Sequence, residues 1–173
     1  LYREKGGTAD VVLVGQEHRL RPLLGGAHAG VEIHHAAEVI AMDEHPANVE
    51  WVRWITYEDL PREYWGAGCA LGIFGTSDKA RRVIPNKAYQ ALACGTPLIT
   101  ADTPAARELL TDGENALLTP PGDPAALADA MRRVAAEPEL ARRLGTEGRR
   151  TYEERASEDV LGPRWRSLIE DLL

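Results

Sequence analysis

The densest chemistry in this chain of 173 residues lies between Lys79 and Gln90. Lys79, Arg81, Arg82 and Lys87 fall within nine residues, and no acidic residue occurs from Lys79 to Ala101. The run from Ile84 to Thr100, IPNKAYQALACGTPLIT, reads as a loop, a helix over Pro85 to Cys94 and a buried strand. Proline suits the first helical position because its missing N–H would have had no intrahelical partner. Glycine after the last turn takes up left-handed backbone without steric cost, which fits Gly95. A helix N-terminus beside several cations attracts an anion with several oxygens, such as a diphosphate. Lys87, Gln90 and Cys94 fall on one side of the helix by their spacing, while Ala88, Ala91 and Leu92 can pack on a sheet. Gln90 offers a donor and an acceptor without ionising, which suits neighbouring hydroxyls such as those of a ribose. For Arg81 alone a solvated face is the simpler reading. For Lys79, Arg82, Lys87 and Gln90 as a set, ligand binding is.

These residues need a frame. Ala9 to Gly15 (ADVVLVG), Val49 to Ile55 (VEWVRWI), Cys69 to Phe74 (CALGIF), Pro97 to Ala101 (PLITA) and Asn115 to Thr119 (NALLT) read as five strands. Continuous apolar runs of this length suit parallel strands covered on both faces. Helices are expected over Tyr57 to Trp65, Pro85 to Cys94 and Pro104 to Leu110, the last capped by Thr103. The alternation predicts a doubly wound, mostly parallel α/β sheet with a Rossmann-like order. Ligands in such sheets sit at the carboxyl ends of strands, which puts the loop from Gly75 to Ile84 on the binding edge. From Asp123 the chain reads as helical throughout. Asp123 and Pro124 form a cap and first position, and Leu127, Met131 and Val134 form an apolar stripe. Two short helices separated by Gly145 and Gly148 are expected next. A last helix over 157–173 then carries Trp165, Leu168, Ile169 and Leu172 on one face.

Composition narrows the function classes. Hydrophobic residues make up 44% and charged residues 27%, as in ordinary globular proteins, and 173 residues suffice for a single domain with a real core. The formal net charge of −7 argues against nucleic acid as the main partner, because phosphate backbones demand a basic surface. Cys69 and Cys94, both in apolar contexts, imply reduced thiols and a cytoplasmic setting. No signal peptide and no membrane-spanning apolar run is evident. All five histidines lie between His18 and His45, in spacings that match no known ligand set, so solvent-facing residues explain them better than a metal site does. Trp51, Trp54, Tyr57, Tyr64 and Trp65 form an aromatic cluster in sequence. It reads as core packing, or near Trp54 as a platform for a base. No G-x-G-x-x-G follows the first strand, which counts against a nicotinamide oxidoreductase or a related epimerase.

The run PNKAYQALACGTPLIT resembles the signature of the C-terminal domain of GT-B fold glycosyltransferases of group 1 type. The resemblance continues through Asp102 to Gly113 (DTPAARELLTDG), Asn115 to Asp123 (NALLTPPGD), the helices from Leu127 to Gly145 and the strand–helix–strand of Val49 to Phe74, and covers 9–156. It implies a nucleoside-diphosphate sugar as donor substrate. The diphosphate would lie near Pro85, Asn86 and Lys87, the ribose at Gln90 and the base around Trp54 and Ile55. Lys79 and Arg82 would stabilise the leaving diphosphate. The resemblance further implies transfer with retention of configuration, with no metal and no cofactor. Many members carry two glutamates where Arg82 and Gln90 stand here. The family's opening strand and acceptor domain have no counterpart after Leu1. A central strand is therefore expected upstream, together with a missing N-terminal acceptor domain through which the enzyme could reach the inner membrane face. The chain alone is then expected to be inactive. A non-catalytic sugar-nucleotide-binding or protein-interaction module of the same fold is the alternative.

Overall fold

The computed structural model describes residues 55–172 in full and, by their backbone pairing, three short strands before them. Those are β1 (Tyr2–Glu4), β2 (Val11–Leu13) and β3 (Val49–Trp51). After them come α1 (Leu60–Gly66), β4 (Cys69–Leu71), α2 (Asp78–Arg81), α3 (Asn86–Cys94) and β5 (Leu98–Ala101). Next follow α4 (Pro104–Arg107), β6 (Leu117–Thr119), α5 (Pro124–Ala136), α6 (Pro138–Arg155) and α7 (Glu158–Glu170).

The strands form one sheet in the order β3-β1-β2-β4-β5-β6. β2, β4, β5 and β6 are parallel, with Val12 opposite Ala70, Leu71 opposite Ile99 and Ala101 opposite Thr119. The alternating, mostly parallel α/β architecture expected from the apolar runs is present. One addition departs from that expectation: β1 pairs antiparallel with both β2 and β3. Its residues, YRE, carry no apolar run that would mark a strand.

Both faces of β4, β5 and β6 are covered, as parallel strands require. Cys69, Leu71, Ile99 and Leu117 pack on one face with Leu127 and Val134 of α5 and Leu140 and Leu144 of α6. Ala70 and Leu98 face the other way, against Tyr64 of α1, Ala88, Ala91 and Leu92 of α3, and Ala106 after β5. Successive strand residues thus alternate between two cores, which is the period-two signature of a strand with two dry faces.

Several boundaries differ from the sequence expectation. Pro85 is the N-cap of α3, with φ −71° and ψ 150°, and Asn86 is the first helical residue. Gly95 closes that helix at φ 68°, as expected. The helix expected from Tyr57 starts at Leu60, because Thr56 to Asp59 form a turn in which the Thr56 hydroxyl donates to Asp59 Oδ2 at 2.8 Å. The helix from Pro104 stops at Arg107, although Thr103 caps it by accepting from Ala106 N. The two short helices expected after α5 are one continuous helix, α6. Gly145 and Gly148 lie buried within it and allow close approach instead of breaking it: a Cβ at Gly145 would stand 2.3 Å from Gly95 O, and one at Gly148 2.9 Å from Leu92 Cδ2. The apolar face of α7 is exposed, with Trp165 at 64% and Leu168 at 56%.

Candidate donor site at the start of helix α3

The parallel strands bring the loops after β4, β5 and β6 to one edge of the sheet. The loop after β4 leaves through Gly72, whose amide donates to Ile99 O at 2.8 Å. A Cβ at Gly72 would meet Thr100 Oγ1 at 2.2 Å, so only glycine fits. The buried Thr100 hydroxyl accepts from Ile73 N at 3.3 Å and reaches Ile73 O at 3.4 Å. Further on, Gly122 N donates to Phe74 O at 2.9 Å, which ties the loop after β6 to the loop after β4. These bonds fix where the chain enters α2 and α3.

Four helices follow strands β4, β5 and β6 before α6 begins. Three are closed at the N-terminus by a side chain: Ser77 caps α2, Thr103 caps α4 and Asp123 caps α5. α3 has no side-chain cap. Ala88 N donates to Pro85 O at 2.9 Å, and the amides before it are the orphan donors a helix start leaves, at the positive end of the helix dipole. The sequence IPNK explains this, since proline at the cap position has no side-chain oxygen to offer.

Lys87 stands in that first turn. It is partly buried, and no hydrogen bond or ion pair holds its ammonium among the described residues. Burial pushes its pKa down from the ordinary 10.5 to about 8. Desolvation disfavours the charged form when no counter-charge is near. The other cations differ. Lys79 and Arg81 are exposed on α2, and Arg82, the C-cap of α2, faces Asp78 at 3.9 Å with both side chains more than three-quarters exposed. An exposed pair of this kind contributes little to stability. Lys87 is therefore the cation whose environment is unsatisfied, and Lys79 and Arg82 form a solvated rim.

Gln90 lies one turn further along α3. Its Oε1 accepts from the Tyr64 hydroxyl at 3.2 Å, and the same hydroxyl lies 3.3 Å from Lys87 O. Tyr64 belongs to α1 and is 1% exposed. Sequence alone marks it as core packing and gives it no place in the site. One signal does point further: a buried tyrosine, unlike a phenylalanine, needs a partner for its hydroxyl. Asn86 is exposed and Pro85 partly buried, both at the open helix start. Ile55 is partly buried before α1, while Trp54 and all five histidines lie outside the described residues. Cys94 is partly buried near Arg149, and burial raises its thiol pKa.

α3 is braced at its far end as well. Arg149 of α6 donates to Ala93 O at 3.0 Å, a cation on the negative end of the helix. Gly95 and Gly145 touch there, so α6 supports the helix from behind. The arrangement is an open helix N-terminus with a desolvated lysine, on a helix that Tyr64 contacts in its first half and Arg149 at its far end. Such a site can hold a polyoxygen anion.

The sequence profile of the glycosyl transferase-like family matches residues 14–159. EpsD of Bacillus subtilis (strain 168), provisionally named a glycosyltransferase, is 42% identical over 81 residues, covering 47% of this chain and 21% of its own length. Among solved structures, sucrose-phosphate synthase from Thermosynechococcus elongatus superposes with a TM-score of 0.61 at 29% identity, over 71% of this chain and 30% of that one. HepE from Anabaena, solved in complex with UDP-glucose, superposes with a TM-score of 0.59 at 18% identity, over 65% of this chain and 30% of its own. The chain thus spans between a fifth and a third of the length of these three proteins. No helix among the described residues is long and apolar enough to cross a membrane. The fold is that of the GT-B glycosyltransferases, and the chain belongs to the glycosyl transferase-like family.

Proposed function

We propose that this chain is the donor-binding part of a glycosyltransferase. It holds a nucleoside-diphosphate sugar with the diphosphate over the open start of α3 and against Lys87. The ribose lies at Gln90 and the base beyond Ile55, towards Trp54. The sugar passes to an acceptor bound by an N-terminal domain outside this chain, with retention of configuration and without a metal or cofactor. The observation that carries the reading is the desolvated Lys87, whose ammonium has no partner among the described residues, at the uncapped start of α3. A buried cation without a counter-charge costs stability, and a bound diphosphate removes that cost. The UDP-glucose bound by HepE supports a nucleotide sugar as the ligand class. Lys79 and Arg82 on the rim would meet the outer phosphate oxygens and stabilise the diphosphate as it departs. Reduced cysteines and the lack of a spanning helix among the described residues suit action in the cytoplasm, with membrane contact left to the acceptor domain.

The replacement of two family glutamates by Arg82 and Gln90 favours a second reading, a module that binds a sugar nucleotide without transferring it. Calorimetry with UDP, ADP and GDP tests the shared first step. Binding of one of them, weakened at least tenfold in Lys87→Ala, is expected, since a charge-assisted contact is worth about 1.5–3 kcal/mol. No binding by the folded protein would overturn the donor-site reading. Sugar transfer in the presence of the full-length protein's acceptor domain separates the enzyme from the binding module.

A further inference from the structure

Tyr64 is tied down at both ends. Its carbonyl accepts from the Thr96 hydroxyl at 2.7 Å, just past the C-terminus of α3. Its hydroxyl reaches Gln90 Oε1 at 3.2 Å and Lys87 O at 3.3 Å, in the first half of the same helix. Between them the ring lies in a core with Ala88, Ala91 and Leu92. The side chain is a buried strut laid along α3, 1% exposed and bonded at its hydroxyl end.

The chemistry of the hydroxyl then determines the chemistry of Gln90. A phenol has one proton to give, and both neighbours are acceptors. Lys87 O, with a second lone pair beside the helix ladder, shares the proton at 3.3 Å, while Gln90 Oε1 is the nearer acceptor at 3.2 Å and no other described donor reaches it. Burial and the nearby Cys94 raise the phenol's pKa above its ordinary value, which keeps it a donor. With Oε1 occupied, the free end of the amide is Nε2, a group with two donors and no acceptor. A carboxylate at this place would present the opposite, acceptors only.

We propose that Tyr64 is a specificity-determining positioning residue: it holds Gln90 Oε1 and thereby makes the ribose end of the site a hydrogen-bond donor. The inference rests on the donor-site reading above. A ribose hydroxyl is recognised here as an acceptor through its oxygen, so removal of that oxygen leaves an amide N–H without a partner. Tyr64 touches Gln90 and not the ligand, so its role is in selecting the sugar and not in holding the diphosphate.

The experiment compares the tightest binder among UDP, ADP and GDP with its 2′-deoxy and 3′-deoxy forms, and with inorganic pyrophosphate. Wild type, Tyr64→Phe, Gln90→Met and the double variant are each measured by calorimetry. Tyr64→Phe keeps the ring and removes only the hydroxyl. Wild type is expected to prefer the ribose form over at least one deoxy form by about fivefold or more. Tyr64→Phe should reduce that preference at least threefold and leave pyrophosphate affinity unchanged. Gln90→Met should abolish it, and adding Tyr64→Phe to Gln90→Met should change nothing further, since the pair acts as a unit. An undiminished ribose preference in Tyr64→Phe would overturn the role of Tyr64 while leaving the donor site standing. Equal loss of pyrophosphate and nucleotide affinity would make Tyr64 a structural residue only, and overturn it too. Failure of the wild type to bind any of the nucleotides would overturn the donor-site reading and this inference with it.

Discussion

Gly145 meets Gly95 so closely that a Cβ added at Gly145 would stand 2.3 Å from the Gly95 carbonyl oxygen. This contact seats α6 against the end of α3. Replacing glycine by alanine inside an exposed helix normally stabilises by about 1 kcal/mol. Here the obstacle is backbone, which cannot swing aside. Gly145→Ala is expected to destabilise the protein by about 1–3 kcal/mol, read as a lower urea midpoint. Gly66→Ala, at a position with nothing within 4 Å, should be neutral or slightly stabilising. Equal effects at the two positions would contradict the packing account.

Lys87 should weaken the fold it serves. Its pKa is about 8 in the folded chain against the ordinary 10.5 when unfolded, so below pH 8 both states bind the proton and the folded state bears the full desolvation cost. Between pH 8 and 10.5 the unfolded chain holds more protons, and stability rises with pH. Lys87→Met is therefore expected to stabilise the ligand-free protein at pH 7, by an amount of order 1–3 kcal/mol, and the gain should shrink to near zero by about pH 10.5. Chemical denaturation at pH 7 and at high pH reads both.

Anion binding should carry the opposite dependence. A diphosphate needs the ammonium form of Lys87, which is lost as pH rises through about 8. Affinity for a nucleoside diphosphate is expected to fall several-fold between pH 7 and 9, by calorimetry. In Lys87→Ala the affinity should be low at both pH values and change little between them.

The ion pair of Arg107 with Asp102 is bidentate, at 2.5 and 2.6 Å, yet the Arg107 side chain is 61% exposed. Exposure outweighs geometry in such a pair. Asp102→Asn is expected to cost less than about 1 kcal/mol, and 1 M salt should reduce the difference further.

What is legible in the sequence follows from the range of the forces involved. Strands β4 and β5 can be read because burial on both faces leaves an unbroken apolar run. The starts of α4 and α5 can be read because Thr103 and Asp123 cap them through bonds three residues away. Local chemistry also places Gly95 correctly. The continuity of α6 is hidden, because a glycine that breaks a helix and a glycine that admits a neighbour look alike until the neighbour, here Gly95 or Leu92, is in place. Strand β1 is hidden because its pairing with β2 and β3 is set by partners distant in sequence. Within the site, charge and spacing pick out Lys87 and Gln90. That Lys87 alone of the nearby cations is desolvated, and that Tyr64 holds Gln90, are tertiary facts.

The most direct test is an NMR titration of the Lys87 ammonium with and without a nucleoside diphosphate. A pKa of about 8 is expected in the free protein, with a clear rise when the nucleotide binds. An ordinary lysine pKa in the free protein, unmoved by saturating nucleotide, would contradict it.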